Sequence, residues 1–236
     1  MRPLLRHEVA LLVRNKKLVW THVATVVLAF GMLATQVRVA QVRLFAAPMV
    51  LFNFLALLMF PTAVAPITIG VHLFVGEKER RTIEPLLLLP VSLRMLFGAK
   101  LALVLAAAFG ELALFFLGGI AILKALGPPS LYPLIVNSTT LYVVGVLMPL
   151  LAMLLAFMAT IVSARATSTQ GATQAMGFVI LPFMFLLTAV GINGLTEITR
   201  PSLASATVVF VILNAAACTI ALRLLRPEIL IRKRGQ

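Results

Sequence analysis

Residues 76 to 90 read Gly76-Glu-Lys-Glu-Arg-Arg-Thr-Ile-Glu-Pro-Leu-Leu-Leu-Leu-Pro90, a charged turn that runs into a short leucine stretch. This segment holds three of the seven acidic residues of the chain, together with three basic ones. The stretches on either side of it are long, apolar and almost free of charge. A polar segment between two apolar runs of that length indicates a membrane protein with a water-exposed element at its surface.

The composition excludes an ordinary soluble protein, because 61% of the 236 residues are apolar and only 11% are charged. Soluble domains are about half apolar and a quarter charged, so lipid must solvate most of this chain. The net charge of +13 comes from basic residues that cluster at the ends of the apolar runs. That distribution is typical of topology signals and lipid headgroup contacts, and we expect no nucleic-acid partner. A single cysteine, Cys218, excludes an internal disulfide framework.

Six apolar stretches are long enough to cross a bilayer, which takes roughly 20 helical residues. We predict an all-α integral membrane protein with one domain over residues 1–236. Pro61 and Pro66 in the second stretch predict a kinked or tilted helix. Residues 1–17 form a basic amphipathic stretch, expected to be an interfacial helix, and residues 225–236 form a charged tail. The predicted spans are 18–36, 47–75, 95–123, 139–162, 174–195 and 204–224.

Basic residues predict the orientation of these spans. Of the 20 Lys and Arg residues, four lie on one side of the predicted membrane: Arg38, Arg43, Lys124 and Arg200. By the positive-inside rule the other side is cytoplasmic, and it holds both termini, residues 76–92 and residues 163–174. The short polar stretch 163–174 is either a second partner contact or a flexible connector. The predicted outer loops leave no room for a folded external domain.

The sequence lacks the motifs that indicate nucleotide binding, nucleophilic catalysis or metal binding. The sequence has no GxxxxGK[ST] phosphate loop and no nucleophile elbow. His7, His22 and His72 are isolated in the sequence, so no ligand cluster for a metal is predicted. We expect no catalytic residue, metal or bound cofactor, and uphill transport would need an ion gradient or a partner.

Residues 76–92 have the features of a short surface helix. Thr82 can cap such a helix, and Glu84 lies in its first turn, where the helix dipole favours an anion. Residues 86–89 supply an apolar face and Pro90 ends it. A helix of this kind, lying flat on the cytoplasmic surface, can fill a groove in a partner. The alternative is an ordinary charged loop between two spans.

The same segment resembles the signature of type-two ATP-binding-cassette exporter permeases. That signature runs approximately Glu-x-Glu-x-Gly-Thr-Leu-Glu-x-Leu-Leu-x-x-Pro-hydroxyl, with a Lys downstream. The chain departs from it at Arg81, where the family usually has Gly, and at Ile83, where it usually has Leu. The matching positions are Glu77, Glu79, Thr82, Glu84, Leu86, Leu87, Pro90, Ser92 and Lys100.

The resemblance implies that residues 76–92 form a coupling helix that docks on a separate cytoplasmic ATPase subunit, which would bind ATP and Mg. It also implies an exporter permease in the plasma (inner) membrane of a prokaryote, paired with a second copy of itself or a related permease. The implied docking residues are Glu77, Glu79, Arg80, Arg81, Thr82, Glu84, Leu86, Leu87 and Pro90. Two alternatives remain open, namely a gradient-driven secondary transporter and a membrane scaffold that recruits a cytoplasmic partner.

Glu111 is expected near mid-bilayer in the third span, where an ionisable side chain needs protein or water around it. It is either a substrate, ion or gating contact, or a protonated or hydrogen-bonded structural residue. Asn214, expected at similar depth in the sixth span, is the candidate partner for the structural role. Small residues in the spans are expected to let helices approach closely. These are Gly118, Gly119, Gly145 and Gly177.

Overall fold

The computed structural model of the chain describes residue 10 and residues 14–42, 47–79, 93–193 and 200–224, and the regular structure in these ranges is helical. Eight α-helices and one π turn lie there. They are α1 (Lys16–Val42), α2 (Ala47–Glu79), α3 (Leu93–Leu126), α4 (Leu131–Ile135), α5 (Ser138–Tyr142), the π turn (Val143–Leu147), α6 (Met148–Arg165), α7 (Thr169–Asn193) and α8 (Arg200–Leu224).

Five segments of the described residues are long and apolar enough to cross a membrane, which indicates a multi-pass membrane protein. They occupy the positions of the first, second, third, fourth and sixth predicted spans. Helix α7 lies at the position of the fifth predicted span, but it is not among these five. The five segments are Leu18–Val39, Asn53–Val75, Met95–Leu126, Ser138–Arg165 and Ser202–Leu224.

Helix α2 forms the centre of the bundle. Of its span, 67% is buried, and it packs against α1, α3, α6 and α7. The span in α8 is only 11% buried and packs mainly on α6. The outer helices expose large apolar side chains, among them Trp20, Leu28 and Ile212. Such a surface is unusual for a soluble monomer and suits contact with lipid.

Two prolines lie inside α2 without ending it. Pro61 and Pro66 are both buried, and the helix continues past them to Glu79. Each proline removes one backbone donor, so one carbonyl in the preceding turn loses its helical partner. The kink or tilt predicted for this span stays a prediction.

The fourth predicted span is not one regular helix, because a π turn separates α5 from α6. Pro149 explains the irregularity, since it has no N–H to donate to Gly145 and its ring crowds that carbonyl. The backbone N–H of Met148 accordingly donates to the carbonyl of Val143, five residues back. The wider turn keeps the span continuous while it relieves the crowding before the proline.

The predicted close approach is confirmed at two of the four glycines. A Cβ built at Gly119 would lie 2.6 Å from Cε2 of the fully buried Phe54, and one at Gly118 would overlap the ring of Phe30. Gly145 and Gly177 have open space at the Cβ position. The glycine pair therefore lets the rings of α1 and α2 pack directly on the backbone of α3.

Several predictions fall on residues outside the described ranges. The predicted interfacial helix lies almost entirely there, as do residues 80–92 and the tail after Leu224. The backbone of α2 is described to Glu79, and α3 begins at Leu93. Helix α2 therefore includes the first residues of the charged segment, and α3 begins directly after its last residue.

Candidate functional site

Three helices contribute one side chain each to a polar cluster inside the bundle. His22 on α1 forms a close ion pair through Nδ1 with Oε1 of Glu111 on α3. The other ring nitrogen, Nε2, lies 3.0 Å from Oγ1 of Thr68 on α2. The side chains of His22 and Glu111 are 16% and 18% exposed. The cluster therefore joins α1, α2 and α3 through groups that are largely shielded.

The hydroxyl of Thr68 determines which hydrogen-bond role His22 plays. Oγ1 of Thr68 lies 2.8 Å from the carbonyl oxygen of Val64 and donates its hydrogen to it. A threonine hydroxyl has one hydrogen, so towards His22 its oxygen can only accept. In this arrangement Nε2 of His22 carries a hydrogen and donates it to Thr68.

The cluster lies near the start of α1 and in the second half of α2. His22 is two turns into α1, and Thr68 is about three turns before the end of α2. These two helix ends lie on the predicted cytoplasmic side. On α3, Glu111 lies near the middle of the helix.

A second polar contact ties α2 to α3 closer to that end. The ammonium group of Lys100 on α3 donates to the carbonyl oxygen of Leu73 on α2, with an N–O distance of 2.7 Å. Lys100 is only 3% exposed, and its Nζ lies 5.8 Å from the centre of the Phe74 ring. A carbonyl and an aromatic face are both favourable surroundings for a buried cation.

Asn214 on α8, the candidate partner of Glu111, does not pair with it. Its amide nitrogen donates to the carbonyl oxygens of Leu150 and Phe210, at 3.0 and 2.8 Å. Its Oδ1 is buried and has no hydrogen-bond partner among the described residues. Asn214 therefore ties α8 to α6, and Glu111 belongs to the other side of the bundle, with His22.

The side chains of the predicted docking residues lie outside the described part of the chain. Arg80, Arg81, Thr82, Glu84, Leu86, Leu87 and Pro90 lie outside the described residues, as do the side chains of Glu77 and Glu79. The backbone of Glu77 and Glu79 continues α2.

The sequence indicated no partner for His22, but in the fold it pairs with Glu111. In the sequence it stands alone between apolar residues of the first span, far from Glu111. A signal did exist, because an ionisable group inside a span needs a partner. Deciding that His22 and Glu111 meet requires knowing that α1 packs against α3.

No group of three or more His, Cys, Asp or Glu side chains that could hold a metal ion occurs in the described part of the chain. The candidate sites are thus the His22–Thr68–Glu111 cluster, the Lys100 contact and the charged segment of residues 76–92. Comparison of the chain with protein-family models and with curated proteins finds no match.

Proposed function

We propose that the chain is the permease subunit of an ATP-binding-cassette transporter, an exporter whose membrane helices form the translocation pathway. ATP hydrolysis takes place in a separate cytoplasmic ATPase subunit. The observation that carries this proposal is the match of residues 77–100 to the docking signature of type-two exporter permeases.

The packing of α2 and α3 supports a role in coupling. Residues 80–92 connect the end of α2 with the start of α3, and Lys100 joins these two helices close to that connection. A push on the segment would therefore move both helices together. Because α2 packs against α1, α3, α6 and α7, such a movement reaches most of the bundle.

The proposal includes six spans, with both termini and residues 76–92 in the cytoplasm of a prokaryotic cell. Helix α7 supplies the additional crossing, since its 25 residues extend about 37 Å and the hydrocarbon core is about 30 Å thick. The permease pairs with a second copy of itself or a related permease. ATP binding closes the ATPase dimer and switches the paired membrane domains between inward-facing and outward-facing states.

Co-expression with a candidate ATPase tests the proposal. We expect the two chains to co-purify, and we expect Glu84→Arg and Leu86→Asp to abolish the complex, because docking needs the charge and the apolar face of the segment. Lys124→Glu is the matched control, a charge reversal at an exposed residue near the opposite end of α3. A complex that survives the docking variants refutes the assignment.

The His22–Glu111 pair favours a second candidate, a carrier driven by a proton gradient, because ionisable pairs inside spans occur in proton relays. The two candidates differ in their need for the ATPase. An ATP hydrolysis rate that rises when the purified chain is added supports the permease. A chain that leaves this rate unchanged and dissipates a pH gradient in liposomes supports the carrier.

A further inference from the structure

We propose that His22 and Glu111 form a proton-binding site that holds a single proton, and that gain or loss of a proton there loosens α1 from α2 and α3. The inference does not depend on the proposed transport function. It follows from the hydrogen-bond roles in the cluster and from the apolar surroundings of the pair.

The geometry sets the number of protons. Nε2 of His22 carries a hydrogen because the Thr68 oxygen can only accept from it. Between Nδ1 and the Glu111 oxygen there is then room for one more proton. On Nδ1 it gives an imidazolium beside a carboxylate, and on Oε1 it gives a neutral imidazole beside a carboxylic acid. Both arrangements are hydrogen-bonded throughout, and both have a net charge of zero.

Either change in proton number charges the site. A second proton leaves a net positive charge with two hydrogens between the facing atoms, and loss of the proton leaves a net negative charge. Leu18 lies one turn before His22 and Ala108 one turn before Glu111, and both belong to a buried apolar cluster. A net charge in such surroundings is unfavourable, so it weakens the contact that holds α1.

Other titratable groups near the site are few among the described residues. On α2, His72 lies one turn beyond Thr68 on the same face. On α3, Lys100 lies three turns before Glu111, but its ammonium group is held by the carbonyl of Leu73. Lys124 lies beyond the site over the ring of Tyr132, and Lys16 lies at the start of α1. His72 is thus the one group that the experiment must separate from the pair.

The only tryptophan of the chain is a built-in reporter, because Trp20 lies on α1 two residues before His22. The experiment records Trp20 fluorescence of the full chain in phosphatidylcholine vesicles over the pH range in which it stays folded. We expect the emission to shift once at lower pH, where the site gains a second proton, and once at higher pH (the alkaline shift), where it loses its last one. In the double variant His22→Phe/Glu111→Met, which replaces the pair with apolar side chains, both shifts should disappear.

Two further variants show which group causes each shift. Glu111→Gln cannot lose a proton but can donate to Nδ1 of neutral His22, so it should lose the alkaline shift alone. His72→Gln leaves the pair intact and should keep both shifts. The proposal is overturned if the wild-type emission does not shift at both ends, if the double variant shifts as the wild type does, or if His72→Gln removes a shift.

Discussion

Two substitutions at Glu111 separate the effect of removing its charge from the effect of reversing it. Glu111→Gln keeps the length of the side chain and a hydrogen-bonding group towards His22, whereas Glu111→Lys places a cation beside the imidazole. We expect Gln to leave the membrane-inserted yield and the unfolding temperature almost unchanged. We expect Lys to lower both, because an unpaired buried charge costs a few kcal/mol.

Measurement of both variants in detergent, by yield and by thermal unfolding, checks this prediction. If both retain normal yield and stability and yet lose transport equally, Glu111 acts in the pathway and its structural role is refuted.

The polar cluster shows how far sequence reasoning reaches at single residues. Glu111 could be selected from the sequence, because an acidic residue within an apolar run needs a polar partner or water inside the membrane. Its partner could not be selected, because hydrogen bonding between spans depends on which helices are neighbours and on their rotation. Asn214 was at a suitable depth but lies on α8, which packs mainly on α6.

At the scale of elements, the packing of α3 depends on the glycine pair. The Cβ of an alanine at residue 119 would overlap the buried ring of Phe54 on α2, and that ring has little room to move. We expect Gly119→Ala to destabilise the bundle, because overpacking costs about 1–3 kcal/mol while alanine recovers at most about 1 kcal/mol of helix propensity.

The matched control is Gly145→Ala, where the Cβ would meet open space. The unfolding temperature should fall for the first variant and stay constant or rise for the control. Equal values for the two variants would contradict the close approach of α2 and α3.

The elements themselves were largely predictable, because an apolar run flanked by charges leaves a membrane helix little freedom in position. The fourth span was the exception, since the sequence predicted one helix over 139–162 and the chain forms α5, a π turn and α6. Pro149 signalled a disturbance but not its form. A kink, a break and a π turn all accommodate a missing N–H, and the packing around the helix selects among them.

For the whole molecule, the number of crossings decides where the C-terminus lies. Both termini share one side if α7 crosses the membrane, and they lie on opposite sides if only the five apolar spans cross. Helix α7 is long enough, and the tail after Leu224 carries four basic residues, Arg226, Arg232, Lys233 and Arg234, which favour the cytoplasm.

Cysteine labelling in a Cys218→Ser background tests this topology in whole cells. We expect Ser130→Cys, in the exposed turn between α3 and α4, to react with an impermeant reagent added outside. Thr167→Cys, exposed between α6 and α7, should react only after the membrane is opened. A C-terminal tag should be protected from external protease. With the two cysteines reacting as expected, cleavage of the tag from outside would show that α7 does not cross and would leave five spans.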